Sequence, residues 1–110
     1  LWSGQSVALV EPVDVQIVLN RGNFSWTALN APLPDGYAYE LVFWRRGEDA
    51  MANGLGWAGV TRNTSITFGF SELGMQPGEY NWGVLLVKTS PAYERVTLLS
   101  GKRLVVLDKK

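Results

Sequence analysis

The runs that come nearest to a chemical signature are Gly54-Leu55-Gly56-Trp57-Ala58-Gly59 and the acidic pair Glu48-Asp49. The first matches G-x-G-x-x-G, with Glu79 downstream as a candidate ribose ligand. A dinucleotide site needs a strand running into the first glycine and a helix after the third, so that the helix N-terminus faces the pyrophosphate. Here the third glycine leads into Val60-Thr61-Arg62-Asn63-Thr64-Ser65, a strand-like run, so the segment reads as a glycine-rich loop. A glycosidase needs two carboxyl groups facing across a cleft, one kept protonated by burial. Neighbouring acids on a loop point apart, and Glu48-Asp49 is better placed to open a helical turn through Ala50-Met51-Ala52, ending at Asn53-Gly54. Calcium held by Glu48, Asp49 and Asp35 lacks the dense oxygen-ligand spacing of a calcium loop. The sequons Asn23-Phe24-Ser25 and Asn63-Thr64-Ser65 are formally present, and no Arg-Gly-Asp occurs.

Composition narrows the chemistry further. The 110 residues include no His and no Cys. Ser-His and Cys-His nucleophilic machinery, disulfides, and zinc or copper sites built from imidazole or thiolate are therefore excluded. Ten basic and ten acidic residues give zero formal charge. The pairs Arg45-Arg46, Lys102-Arg103 and Lys109-Lys110 therefore read as solvated strand ends, not as a nucleic-acid or anionic-membrane surface. No apolar run is long enough to span a membrane. The expectation is a non-catalytic chain with no cofactor and no metal.

The elements that must position these residues are strands. No stretch of a dozen residues keeps helical apolar spacing without an intervening Gly or Pro, whereas two-residue alternation recurs. Ser65-Ile66-Thr67-Phe68-Gly69-Phe70 places Ile66, Phe68 and Phe70 on one face. Phe24-Ser25-Trp26-Thr27 alternates likewise. Residues 37–46 place Tyr39, Leu41 and Phe43 on one face and Glu40, Val42 and Trp44 on the other. Residues 79–88 divide into Tyr80, Trp82, Val84 and Leu86 against Asn81, Gly83, Leu85 and Val87. Residues 102–107 make a last strand, and 7–10 with 15–19 a first one interrupted at Pro12. Turn signals separate the runs: Asn20-Arg21-Gly22, Pro32-Leu33-Pro34-Asp35-Gly36, Gln76-Pro77-Gly78 and Ser90-Pro91. This spacing predicts an all-β, seven-stranded antiparallel two-sheet sandwich over residues 7–107, with tails at 1–6 and 108–110.

Three local patterns carry a family resemblance. Phe24-Ser25-Trp26-Thr27-Ala28 resembles the second strand of fibronectin type III modules, whose Trp is in the core. Tyr39-Glu40-Leu41-Val42-Phe43 resembles their third strand. Leu73-Gly74-Met75-Gln76-Pro77-Gly78-Glu79-Tyr80-Asn81-Trp82-Gly83-Val84 is similar to the "L-x-P-G-x-Y-x-x-x-V" stretch in which a sixth-strand Tyr makes a tyrosine corner, its hydroxyl bonded to backbone a few residues upstream. With Ser100 and Arg103-Leu104-Val105, the pattern looks like the variant found in bacterial secreted, cell-surface and signalling proteins. The resemblance implies an immunoglobulin-like module of a larger, extracellular or cell-surface protein, serving as spacer, scaffold or protein-interaction domain. Trp82 then substitutes by packing for the disulfide that antibody-type domains carry near this position.

Two features exceed what a minimal sandwich needs. If Tyr39, Leu41 and Phe43 face inward, Val42 and Trp44 face outward, and so do Leu85 and Val87 on the neighbouring strand. These four are expected either to form an apolar contact patch or to lie under the next loop. That loop, residues 47–59, is long and carries Met51, Leu55 and Trp57. It reads as a lid that buries its own apolar side chains and protects a sheet edge. The competing expectation is a recognition loop, with Trp44, Trp57 or Tyr93 stacking on a sugar ring. The partners expected are neighbouring domains, another protein or a glycan.

Overall fold

The computed structural model describes residues 5–108; the expected tails at 1–6 and 108–110 fall largely outside them. In chain order the elements are β1 (Leu9–Glu11), β2 (Gln16–Leu19), β3 (Arg21–Trp26), β4 (Tyr37–Trp44), α1 (Ala50–Asn53), β5 (Val60–Thr61), β6 (Ser65–Gly69), β7 (Gly78–Lys88), β8 (Glu94–Leu98) and β9 (Arg103–Asp108). They form two sheets, a smaller one ordered β1-β3-β6 and a larger one ordered β2-β9-β7-β4-β5, with β8 also paired to β7.

The expected all-β two-sheet architecture is therefore present, with two corrections to its detail. The first strand is cut at Pro12, as the sequence indicates, but its halves join different sheets. β1 runs antiparallel to β3, and β2 runs parallel to β9, so the sandwich is not wholly antiparallel. Arg103 holds this crossover in place, donating from Nη1 to the carbonyls of Val10 (2.8 Å) and Pro12 (3.0 Å). The expected last strand, residues 102–107, is β9, but a further strand not read from the sequence, β8, precedes it on the same edge of β7, the two separated by a kink at Ser100. There the Ser100 hydroxyl accepts from the Val84 N–H at 3.0 Å and donates to the Gly101 carbonyl at 2.7 Å. A backbone N–H that the kink leaves without a strand partner is satisfied by a side chain instead.

The alternation read from the sequence places the core. Phe24, Trp26, Tyr39, Leu41, Phe43, Phe68, Tyr80, Trp82 and Val84 are buried between the sheets, with Ile66 partly buried against them. Phe24 is the hub: its ring meets Trp82 edge-on at 5.1 Å and Phe43 edge-on at 5.4 Å, and it stacks on Phe68 at 5.3 Å. Such offset and T-shaped pairs add to what burial alone contributes. The indole N–H groups of Trp26 and Trp82 are buried without a hydrogen-bond acceptor, each at a cost of about 1–3 kcal/mol. Packing outweighs that cost at both positions.

The tyrosine corner forms, but not with the spacing expected. Tyr80 Oη donates to the Gln76 carbonyl at 2.9 Å, and Arg45 donates to Tyr80 Oη at 3.1 Å with its guanidinium 4.5 Å from the ring centroid. The apolar residue buried ahead of the turn is Met75, at 2% exposure, whereas Leu73 stays on the surface. Met75-Gln76-Pro77-Gly78-Glu79-Tyr80 thus carries the motif without any inserted residues. Arg45 and Arg103 are not free strand-end charges; both are spent on architecture.

Candidate functional site

The outer face of the larger sheet holds the residues that the sequence singles out. β4 and β7 pair antiparallel with Val42 opposite Gly83 and Glu40 opposite Leu85, so the two outward parities lie side by side. Val42, Leu85 and Val87 have no exposed surface and Trp44 only 4%. They form a second apolar cluster with Ala38 and Ala50, against which Met51 packs. The contact patch considered for Val42, Trp44, Leu85 and Val87 is therefore not a free surface. The segment of residues 47–59 folds back over it, because an apolar sheet face adjoining a loop with its own apolar residues loses most water when the two meet.

The lid is built from the local sequence. Glu48 accepts the Arg45 N–H through Oε1 at 2.9 Å, closing the turn after β4. Asp49 then caps α1, its Oδ2 accepting the Ala52 N–H at 2.9 Å, while Asn53 Oδ1 accepts the Asp49 N–H at 3.0 Å. The acidic pair is thus a turn and a cap, as its position before Ala50 suggests. After α1 the chain returns along β4: Leu55 and Phe43 exchange both backbone hydrogen bonds, at 2.7 and 3.1 Å, and β5 continues the pairing at Glu40 and Tyr39. The lid so occupies what would otherwise be the free edge of β4.

A three-residue latch fastens it. Arg95 on β8 donates through Nη1 to the Met51 carbonyl (2.9 Å) and through Nη2 to the Gly54 carbonyl (2.6 Å). Its Nε lies 3.8 Å from Glu40 Oε1 and donates to Tyr93 Oη at 3.0 Å. Tyr93 in turn donates to Glu40 Oε1. Glu40 is buried at 6% exposure, and a buried carboxylate needs partners of this kind. Burial, and then the hydrogen bond to Glu40, push the Tyr93 phenol above its ordinary value, while Arg95 opposes the shift. The glycine pattern finds its explanation here. A Cβ on Gly56 would stand 1.9 Å from Glu40 Oε2, and one on Gly54 would stand 2.3 Å from the Ala50 carbonyl oxygen.

The lid does not bury everything expected of it. Leu55 and Trp57 each keep 38% of their surface, and Tyr93 keeps 53%. Gly56 must lie flat against Glu40, which turns the following Trp57 to the rim and not under the lid. Nothing in the residue pattern marks Glu40 and Arg95: a charged residue amid a strand and another after a Pro turn look like ordinary surface positions. Among the described residues no group of three or more acidic side chains is arranged to hold a metal ion, and no helix is long and apolar enough to cross a membrane. Comparison of the chain with protein-family models, curated proteins and solved structures returned no match.

Proposed function

We propose that the chain is a non-catalytic immunoglobulin-like module of the fibronectin type III kind, working in a larger protein as a spacer, scaffold or protein-interaction domain. The observation that carries this reading is the use made of polar groups. Glu40, Glu48, Asp49, Arg45, Arg95 and Ser100, the groups placed by sequence or burial where chemistry would be done, each hold a turn, cap, latch or kink. The family part of the proposal draws on strand order. The order β1-β3-β6 against β2-β9-β7-β4-β5, with β8 also on β7, is compatible with an immunoglobulin-like sandwich that carries added strands on its larger sheet. The Tyr80 corner adds to it. Fold alone does not assign activity; the structural use of these polar groups supports the non-catalytic reading. An extracellular or cell-surface setting follows from the resemblance only.

A second reading, carbohydrate binding, draws on Trp57 and Tyr93, which remain exposed beside the Glu40–Arg95 pair. Calorimetric titration with a panel of oligosaccharides, with product analysis of each mixture, separates the readings. The module reading expects neither saturable heat nor cleavage. Saturable binding lost in both Trp57→Ala and Tyr93→Ala, with unchanged circular dichroism, would replace it with the carbohydrate reading.

A further inference from the structure

The lid covers only part of the outer face of the larger sheet. Beyond it, over β2 and β9, runs an apolar strip that nothing among the described residues covers. Val13, Val15, Ile17 and Leu19 are 59%, 61%, 59% and 50% exposed, and Leu104 and Val106 are half-buried beside them. Pairing is parallel and in register, with Ile17 beside Val106 and Leu19 beside Asp108. The strip is bounded by charge of opposite sign. Lys102 is exposed immediately before β9, and Asp108 is exposed at its end.

We infer that this strip is a homotypic interface, on which a second copy of the chain packs face to face about a two-fold axis perpendicular to the strands. The register makes the face self-complementary. Turning one copy end for end about the midpoint between Leu104 and Val106 brings Leu104 over Val106 and Ile17 over the Val13–Gln16 turn that leads into β2, where the Val15 N–H bonds the Leu104 carbonyl at 2.8 Å. The same operation brings Lys102 of each copy over Asp108 of the other, and Asn81 over Glu79, whose positions on β7 adjoin Leu104 and Val106. Two-fold symmetry uses each of these pairs twice. A parallel stacking of the same faces would set Lys102 on Lys102 and Asp108 on Asp108. Zero formal charge leaves no long-range repulsion between copies.

Area sets the strength. The exposed parts of the six apolar residues amount to about 400–500 Å², the size of the larger patches that mark contact sites. That is roughly half of the about 800 Å² per partner that specific complexes bury, the polar rim making up the rest. The dimer is therefore weak and reversible. The inference goes beyond the module reading and concerns a different part of the sheet, so it stands or falls whether or not any sugar binds near Trp57.

Sedimentation velocity over a concentration series, with circular dichroism to check folding, tests it. The unmodified chain is expected to sediment increasingly as a dimer toward high concentration, and Ile17→Lys as a monomer. Lys102→Glu and Asp108→Lys should each weaken association several-fold, in line with partly exposed ion pairs, and the double reversal Lys102→Glu/Asp108→Lys should restore it. A chain that stays monomeric throughout overturns the inference. Dimerisation indifferent to Ile17→Lys, or single reversals that the double variant does not rescue, overturns it equally.

Discussion

Individual side chains separate the two tryptophans that the sequence left open. Trp44 is sealed under α1 and Trp57 stands at the rim, although both belong to the same stretch around the lid. Trp44→Ala is expected to cost about 3–5 kcal/mol, as for truncation of a buried aromatic. Trp57→Ala should cost below about 1 kcal/mol, as for a substitution away from the core. Urea denaturation checks both, and equal losses would show that Trp57 is held by packing as well. Tyr93 sets a pH dependence whose sign follows from its raised pKa. The folded state favours the neutral phenol, so the latch contributes fully below the ordinary tyrosine value of 10.0 and loses that contribution as pH rises through the higher folded value. The stability difference between the unmodified chain and Tyr93→Phe should therefore shrink as the pH rises above 10.0. A difference that grows with pH would reverse the assignment of Glu40 as its partner.

At the scale of elements, the lid is a short helix and two short pairings held to the sheet by a few groups. α1 spans four residues, too few to be stable without its cap and its apolar contacts. Arg95 reaches two lid carbonyls and Glu40 at once, so its removal frees the lid while leaving the inter-sheet core untouched. Arg95→Met should accelerate hydrogen exchange at Leu55 and Ala52 by about tenfold or more, with little change at Leu41 or Val84, as expected when a local opening is separable from global unfolding. Gly56→Ala should act likewise, because its Cβ displaces the Glu40 carboxylate from Tyr93 and Arg95. Exchange mapped by NMR reads both, and uniform acceleration across the sheet would mean that the lid is no separate unit.

For the whole molecule, β4 and β7 give one parity to the inter-sheet core and the other to the sealed outer face. Neither cluster survives loss of the other's strands, so equilibrium unfolding should be two-state. Circular dichroism and tryptophan fluorescence should then give superimposable denaturation curves. Separated midpoints would mean that the faces melt independently. Much of this architecture is legible in the residues themselves. Two-residue alternation assigned the inward and outward sides of residues 37–46 and 79–88, because side chains in a strand have no other choice. Pro12 marked the break in the first strand, Asp49-Ala50 the cap and the turn, and Pro77-Gly78-Glu79-Tyr80 the corner. The missing His and Cys excluded whole classes of chemistry before any fold was known. What alternation cannot say is whether an outward apolar residue meets water, since that depends on a segment distant in the chain. Only the tertiary structure decided that Val42, Trp44, Leu85 and Val87 are covered while Ile17 and Leu19 are not. It also brought Glu40, Tyr93 and Arg95 together, from positions up to 55 residues apart, by pairing β8 to β7 beside the lid.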